Sequence, residues 1–132
     1  MTRASGDVRV LVLEDEPLIA MLIVDILTDA GYTIVGPAHD LEQANALIDA
    51  ERIDIAVLDI NLGPGVTSAP VADCLEQRGI PFILGTGYGD AALRPVDRTR
   101  PRLSKPYNEA EFIALVSKVL STASTASAAQ AP

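Results

Sequence analysis

Val8-Arg9-Val10-Leu11-Val12-Leu13-Glu14-Asp15 is almost wholly apolar until it breaks into two adjacent acids. Such a run is expected of a strand buried on both faces. The pattern returns downstream: Asp59 follows the apolar run 55–58, Thr86 follows the run 82–84, and Lys105 follows Leu103. Stretches with helical spacing separate these runs, so they read as strands of one parallel sheet in an α/β chain, with helices on both faces. Residues at the carboxyl ends of parallel strands converge on one rim, where open α/β sheets bind ligands. Three carboxylates, a hydroxyl and an ammonium on one rim point to metal-assisted phosphoryl chemistry.

Helix signals fill the intervals. Pro17 suits a first helical turn, and Ile19, Leu22, Ile23, Ile26 and Leu27 repeat at helical spacing up to Gly31, a C-terminal cap. A short strand over 33–35 is expected to stop at Gly36-Pro37. Asp40 is placed to cap a second helix whose inner face is Leu41, Ala44, Leu47 and Ile48. The loop 61–68 carries Gly63, Pro64 and Gly65. Behind it Thr67 or Ser68 would cap a helix with Val71, Ala72 and Leu75 inside. Asn108 is expected to cap the last helix, with Phe112, Leu115, Val116, Val119 and Leu120 facing inward.

Two segments break the rhythm. Residues 88–101 should hold a helix between the fourth and fifth strands, but Gly89, Pro95 and Pro101 make them poor helix material. At most one or two turns are expected there, over 90–93, with a mobile loop otherwise. The segment 121–132 is Ser, Thr and Ala with a terminal Pro and reads as a disordered tail. The expected organisation is a leader over 1–7, one domain over 8–120 and that tail.

The 132 residues suit one domain, and 48% hydrophobic content suffices for a core. A single cysteine, Cys74, rules out an internal disulfide. The leader lacks the basic and apolar blocks of a secretory signal, and no stretch is long enough to span a membrane. A cytoplasmic protein is therefore expected. A net charge of −8 and 4% aromatic content disfavour nucleic acid as a partner.

Glu14, Asp15 and Asp59 crowd the rim. Each pair at about 5 Å repels by roughly 3 kcal/mol at an effective dielectric near 20, and a cation would relieve that. All-oxygen ligation suits Mg2+. A carboxylate is also a nucleophile toward phosphorus, giving an aspartyl phosphate. A metal and a positioned lysine would neutralise the transferring phosphoryl oxygens. Thr86 could donate a hydrogen bond to one oxygen and Lys105 could pair with another.

Leu13-Glu14-Asp15-Glu16, Leu58-Asp59-Ile60-Asn61-Leu62, Gly85-Thr86-Gly87 and Lys105-Pro106 together resemble the receiver domain of two-component response regulators. The likeness covers residues 8–120 and implies a flavodoxin-like five-stranded sheet of order 2-1-3-4-5. It further implies that Asp59 becomes a 4-aspartylphosphate and that Glu14, Asp15, Asp59 and the Asn61 carbonyl hold Mg2+. Thr86 and Lys105 would engage the phosphoryl group, and a cis Lys105-Pro106 bond is expected. Pro81-Phe82-Ile83-Leu84-Gly85-Thr86-Gly87-Tyr88 is similar to the signature of the FAT GUY regulators, mostly stand-alone receivers with an irregular fourth helix. Leu84 and Gly85 replace that signature's Phe-Ala. Arg102 stands where many receivers place a switch aromatic, so Tyr88 is the expected substitute, coupled to Thr86.

The resemblance implies a single-domain response regulator that catalyses only its own phosphorylation and autodephosphorylation. Its expected partners are a histidine kinase or histidine phosphotransferase, and a downstream protein bound by the last helix and residues 88–101. Three other readings compete: a phosphate sink, a pseudo-receiver adaptor that never takes phosphate, and a small Mg2+-dependent phosphatase. The last usually needs a second acid two residues past the nucleophile, where Asn61 stands. His39 is expected to be exposed and inert.

Overall fold

A computed structural model describes residues 8–87 and 93–130, with side chains described up to Ala123. The leader 1–7 and Tyr88 lie outside the described residues, as does most of the expected turn over 90–93. The elements run β1 (Arg9–Leu13), α1 (Pro17–Asp29), β2 (Thr33–Ala38), α2 (Leu41–Ala50), β3 (Ile55–Asp59), α3 (Ala69–Gln77) and β4 (Phe82–Thr86). A 3-10 turn (Pro95–Thr99), β5 (Arg102–Ser104) and α4 (Glu109–Gln130) follow. The five strands form one parallel sheet in the order β2-β1-β3-β4-β5, as expected.

Both sheet faces are covered, because strand residues alternate between them. Leu11, Leu13, Ala56, Leu58 and Leu84 pack with Ala44 and Ile48 of α2 and Val71, Ala72 and Leu75 of α3. On the other face Val10, Val12, Val57 and Ile83 meet Ile23, Ile26 and Leu27 of α1 and Phe112, Val116 and Val119 of α4. This double cover makes the central strands read as continuous apolar runs. Phe112 is fully buried and is the largest such side chain among the described residues. Phe112→Ala is expected to cost about 3–5 kcal/mol, read as a lower urea midpoint.

The caps follow the sequence in part. Asp40 accepts a hydrogen bond from Gln43 N at 2.8 Å, and Asn108 Oδ1 accepts from Glu111 N at 3.0 Å. Ser68 occupies the cap position of α3 without a side-chain bond, while Thr67 Oγ1 accepts from Ala69 N at 3.3 Å. Gly31 and Gly79 take positive φ just beyond α1 and α3, the left-handed geometry that glycine adopts without steric cost.

Four expectations are corrected. β2 does not stop at Gly36-Pro37 but continues to Ala38. Its register with β1 shifts between Leu11 and Leu13, and the Gly36-Pro37 bond is cis, so the strand absorbs the proline as an irregularity at the sheet edge. Leu22 is exposed and Ala20 takes its inward place on α1. The last helix does not end at Leu120: α4 runs to Gln130. Alanine is the strongest helix former, and no glycine or proline interrupts the segment before Pro132.

The fourth correction concerns the segment before β5. A helical turn forms at Pro95–Thr99, where a loose loop was expected, and it is held down. Asp97 is buried and accepts from Arg94 Nε at 2.8 Å and from Arg100 Nε at 2.9 Å. Arg94 also reaches Asp73 at 3.1 Å, and Arg100 reaches Glu76, so the turn is clamped to α3. The Arg100 guanidinium lies 4.8 Å over the Phe82 ring. Burial acts to raise the Asp97 pKa, but the two guanidiniums outweigh it and hold the carboxyl below its usual value. Its contribution to stability is therefore present above the unfolded carboxyl's pKa and is lost as pH falls through the lowered one. Asp97→Asn is expected to cost about 2 kcal/mol at neutral pH, below the range for a fully buried pair because both arginines keep other partners. Urea unfolding should show that deficit shrinking below about pH 4.

Candidate functional site: an acidic rim with one lysine

Register brings the acids together. Leu13 pairs with Leu58, so Glu14 and Asp59 extend side by side past the ends of β1 and β3. Asp59 pairs in turn with Gly85 of β4. By strand alternation Glu14, Asp59 and Gly85 point to the α1/α4 face. Carboxylate oxygens of Glu14, Asp15 and Asp59 all lie within 4.8 Å of one another. Glu14 is fully buried and Asp59 is 6% exposed, while Asp15 is half-buried at the mouth.

Lys105 enters from the end of β5. Its Nζ lies 3.1 Å from Asp59 Oδ2 and 3.0 Å from Glu14 Oε1. The backbone fixes the lysine, since Lys105 N donates to Thr86 O at 2.8 Å. The Lys105-Pro106 bond is cis, as expected. Backbone N–H groups share in holding the acids: Glu16 N donates to Glu14 Oε2 at 3.2 Å, and Asn61 N donates to Asp59 Oδ1 at 3.3 Å. Asn61 itself starts a tight loop. It bridges to Thr67, and Ser68 N donates to Ile60 O at 3.0 Å.

The charges do not balance. One ammonium faces three carboxylates, and Glu14 Oε1 is buried without a hydrogen bond among the described residues, because the nearby ammonium meets it at a poor angle. Burial first, and then the Asp59 carboxylate, push the Glu14 carboxyl up to about 8; Lys105 and the Glu16 N–H act against them. Burial disfavours the Lys105 charge, yet its contacts with the Glu14 and Asp59 carboxylates outweigh it and raise that pKa. An orphaned buried oxygen in an all-oxygen nest is what a hard divalent cation would satisfy.

Thr86 and His39 make contacts that spacing along the chain does not show. Thr86 is buried at the end of β4, but its hydroxyl donates to Leu103 O at 3.3 Å and so is turned to β5. His39 is exposed, as expected, but not uninvolved: its Nδ1 lies 2.9 Å from the Glu14 carbonyl oxygen and so braces the turn that carries both acids. Tyr107 was missed altogether. Its ring meets Phe112 edge-on with centroids 5.3 Å apart, and its hydroxyl lies over Gly85, in the space that a Cβ there would take. Burial first, then the Asp59 and Glu14 charges, raise its pKa, which places the phenol within reach of their field. Only the glycine at 85, where the signature has alanine, hinted at that room.

Residues 10–117 match the response regulator receiver domain, and the chain belongs to that family. Among solved structures it is similar to SdrG from Sphingomonas melonis Fr1, with 38% identity and a TM-score of 0.79. The match covers 89% of this chain and 99% of SdrG. The response regulator PhyR from Brucella abortus is 31% identical with a TM-score of 0.79, over 92% of this chain and 51% of PhyR. The transcriptional regulatory protein PdtaR of Mycobacterium tuberculosis is 29% identical over 120 residues, 86% of this chain and 57% of PdtaR. The chain spans about half the length of the curated relatives it matches.

Proposed function

We propose that Asp59 accepts a phosphoryl group from a phosphohistidine of a histidine kinase or histidine phosphotransferase, and that the phosphorylated chain signals by protein–protein contact. The observation that carries this reading is Lys105 Nζ at 3.1 Å from Asp59 Oδ2 and 3.0 Å from Glu14 Oε1, beside Asp15 on one rim. A carboxylate oxygen of Asp59 attacks phosphorus while the phosphorus–nitrogen bond of the donor breaks, and the bonding pair leaves on the imidazole. Lys105, held against Asp59, meets the negative charge of the arriving phosphoryl oxygens. Glu14, Asp15, Asp59 and the Asn61 carbonyl would hold Mg2+, whose charge offsets that of the phosphoryl oxygens when bound. Release follows when water replaces Asp59 at phosphorus, so the chain turns over only its own acyl phosphate.

The switch in this reading is Thr86. Its hydroxyl leaves Leu103 O for a phosphoryl oxygen, and Tyr88 and the segment leading to Arg102 follow. SdrG has been solved in a BeF3-activated conformation, 38% identical with a TM-score of 0.72, which supports an activatable site here. The donor protein would approach over α1, where Leu18 is 81% and Met21 61% exposed. The last helix and the clamped turn, with Val96 exposed, would meet the downstream partner. No helix among the described residues is long and apolar enough to cross a membrane, and we place this exchange in the cytoplasm.

Intact mass after incubation with acetyl phosphate tests the reading. One added phosphoryl group, dependent on Mg2+, is expected. No adduct from acetyl phosphate or from a panel of phosphorylated histidine kinases would support the adaptor reading instead. Hydrolysis of a general phosphate ester over many turnovers would indicate a phosphatase.

A further inference from the structure

We propose that Tyr107 is a positioning residue of the acceptor site, and that Gly85 exists to admit its hydroxyl beside Asp59. The inference rests on the acceptor reading above and adds to it a second wall of the pocket.

Three observations converge. Asp59 and Gly85 are register partners on neighbouring strands, and both face the α1/α4 side, so about 5 Å separates their backbones. A Cβ built at residue 85 would collide with the Tyr107 hydroxyl and come within 3.2 Å of its Cζ. The phenol therefore fills the side-chain space next to the Asp59 carboxylate. The ring has little freedom to leave it, because its edge-on contact with the fully buried Phe112 and the short link to Lys105 fix its approach. That hydroxyl makes no hydrogen bond among the described residues, and the ring contact with Phe112 is what holds it in place.

A donor held beside a carboxylate without a partner of its own has an evident use. When Asp59 carries a phosphoryl group, the phenol can donate to an oxygen on the β4 flank, opposite the rim where Asp15 stands. It also fills space that an attacking water would need. Tyr107 thus lengthens the life of the acyl phosphate, and Gly85 does so through Tyr107. A side chain at residue 85 and the hydroxyl at residue 107 exclude each other.

The test is a double-substitution cycle on the full chain, phosphorylated with acetyl phosphate and followed by loss of the phosphoryl mass. Tyr107→Phe keeps the ring and is expected to shorten the phosphoryl half-life about three- to tenfold, the effect of one hydrogen bond to a charged group. Its melting temperature without phosphate should stay close to wild type. Gly85→Ala is expected to lower the melting temperature and shorten the half-life as much or more. Adding Tyr107→Phe to Gly85→Ala should recover part of that stability without a further loss of lifetime. A phosphorylated wild type whose lifetime Tyr107→Phe leaves unchanged overturns this inference alone, as do independent, additive effects at the two positions. A wild type that takes no phosphoryl group overturns the acceptor reading and this inference together.

Discussion

Asp59→Asn is expected to take up no phosphoryl group from acetyl phosphate and Mg2+, while remaining folded and somewhat more stable than wild type. The loss follows from chemistry: the amide replaces the one carboxylate oxygen pair that Lys105 and the Asn61 N–H hold at the floor of the site. The gain follows from electrostatics. Three carboxylates within 4.8 Å of each other share one lysine, and removing one charge relieves repulsion worth about 1–3 kcal/mol in a partly buried setting. Intact mass and a urea melt on the same sample check both halves. A full equivalent of phosphate on the variant would mean that another carboxylate is the acceptor. A strongly destabilised variant would mean that Asp59 is held for structure.

Mg2+ is expected to raise the melting temperature, and to do so more at pH 8 than at pH 5.5. The sign comes from Glu14, whose carboxyl is pushed up to about 8 by burial and by Asp59. A group with a raised folded pKa contributes stability below its ordinary value and loses that contribution as pH rises through the raised one. For Glu14 the window runs from about 4.5 to about 8. The metal-free chain should therefore weaken across it, and the cation, which needs ionised ligands, should restore more at the upper end. At about a hundred times Kd the stabilisation is about 3 kcal/mol, or roughly 10 °C for a domain of this size. Asp15→Asn removes the half-buried carboxylate at the mouth and should cut the shift by at least half. Thermal melts at the two pH values with and without Mg2+ decide it. A full response in Asp15→Asn would count against a site shared by the three acids.

The rim was legible because its residues sit where sequence patterns are sharpest. A buried parallel strand must end abruptly, and Glu14, Asp15 and Asp59 each mark such an end, while Lys105 follows the short edge strand β5. Sheet order then brings β1, β3 and β5 to one edge with no further choice. What escaped the sequence depends on side-chain direction and on pairs distant along the chain. Thr86 ends β4 as expected, yet its hydroxyl has a nearer acceptor in Leu103 O, which no spacing reveals. Tyr107 and Gly85 are 22 positions apart, and only the fold shows that one occupies the other's empty side-chain space. Arg94, Asp97 and Arg100 did carry a signal, charges of alternating sign at intervals of three. Pro95 and Pro101 read as helix breakers, although proline is at home in the first turn of a short helix. Poor α-helix material thus became an ordered turn because buried ion pairs, not helical propensity, hold it.

Reductive trapping asks the central question most directly. Borohydride converts an acyl phosphate to a primary alcohol at the carbon that carried it, so peptide mass mapping after treatment with acetyl phosphate and Mg2+ names the acceptor. The account predicts homoserine in place of aspartate at residue 59 and nowhere else. The alcohol at Glu14 or Asp15, or an unreduced chain that nevertheless carries phosphate, would contradict it.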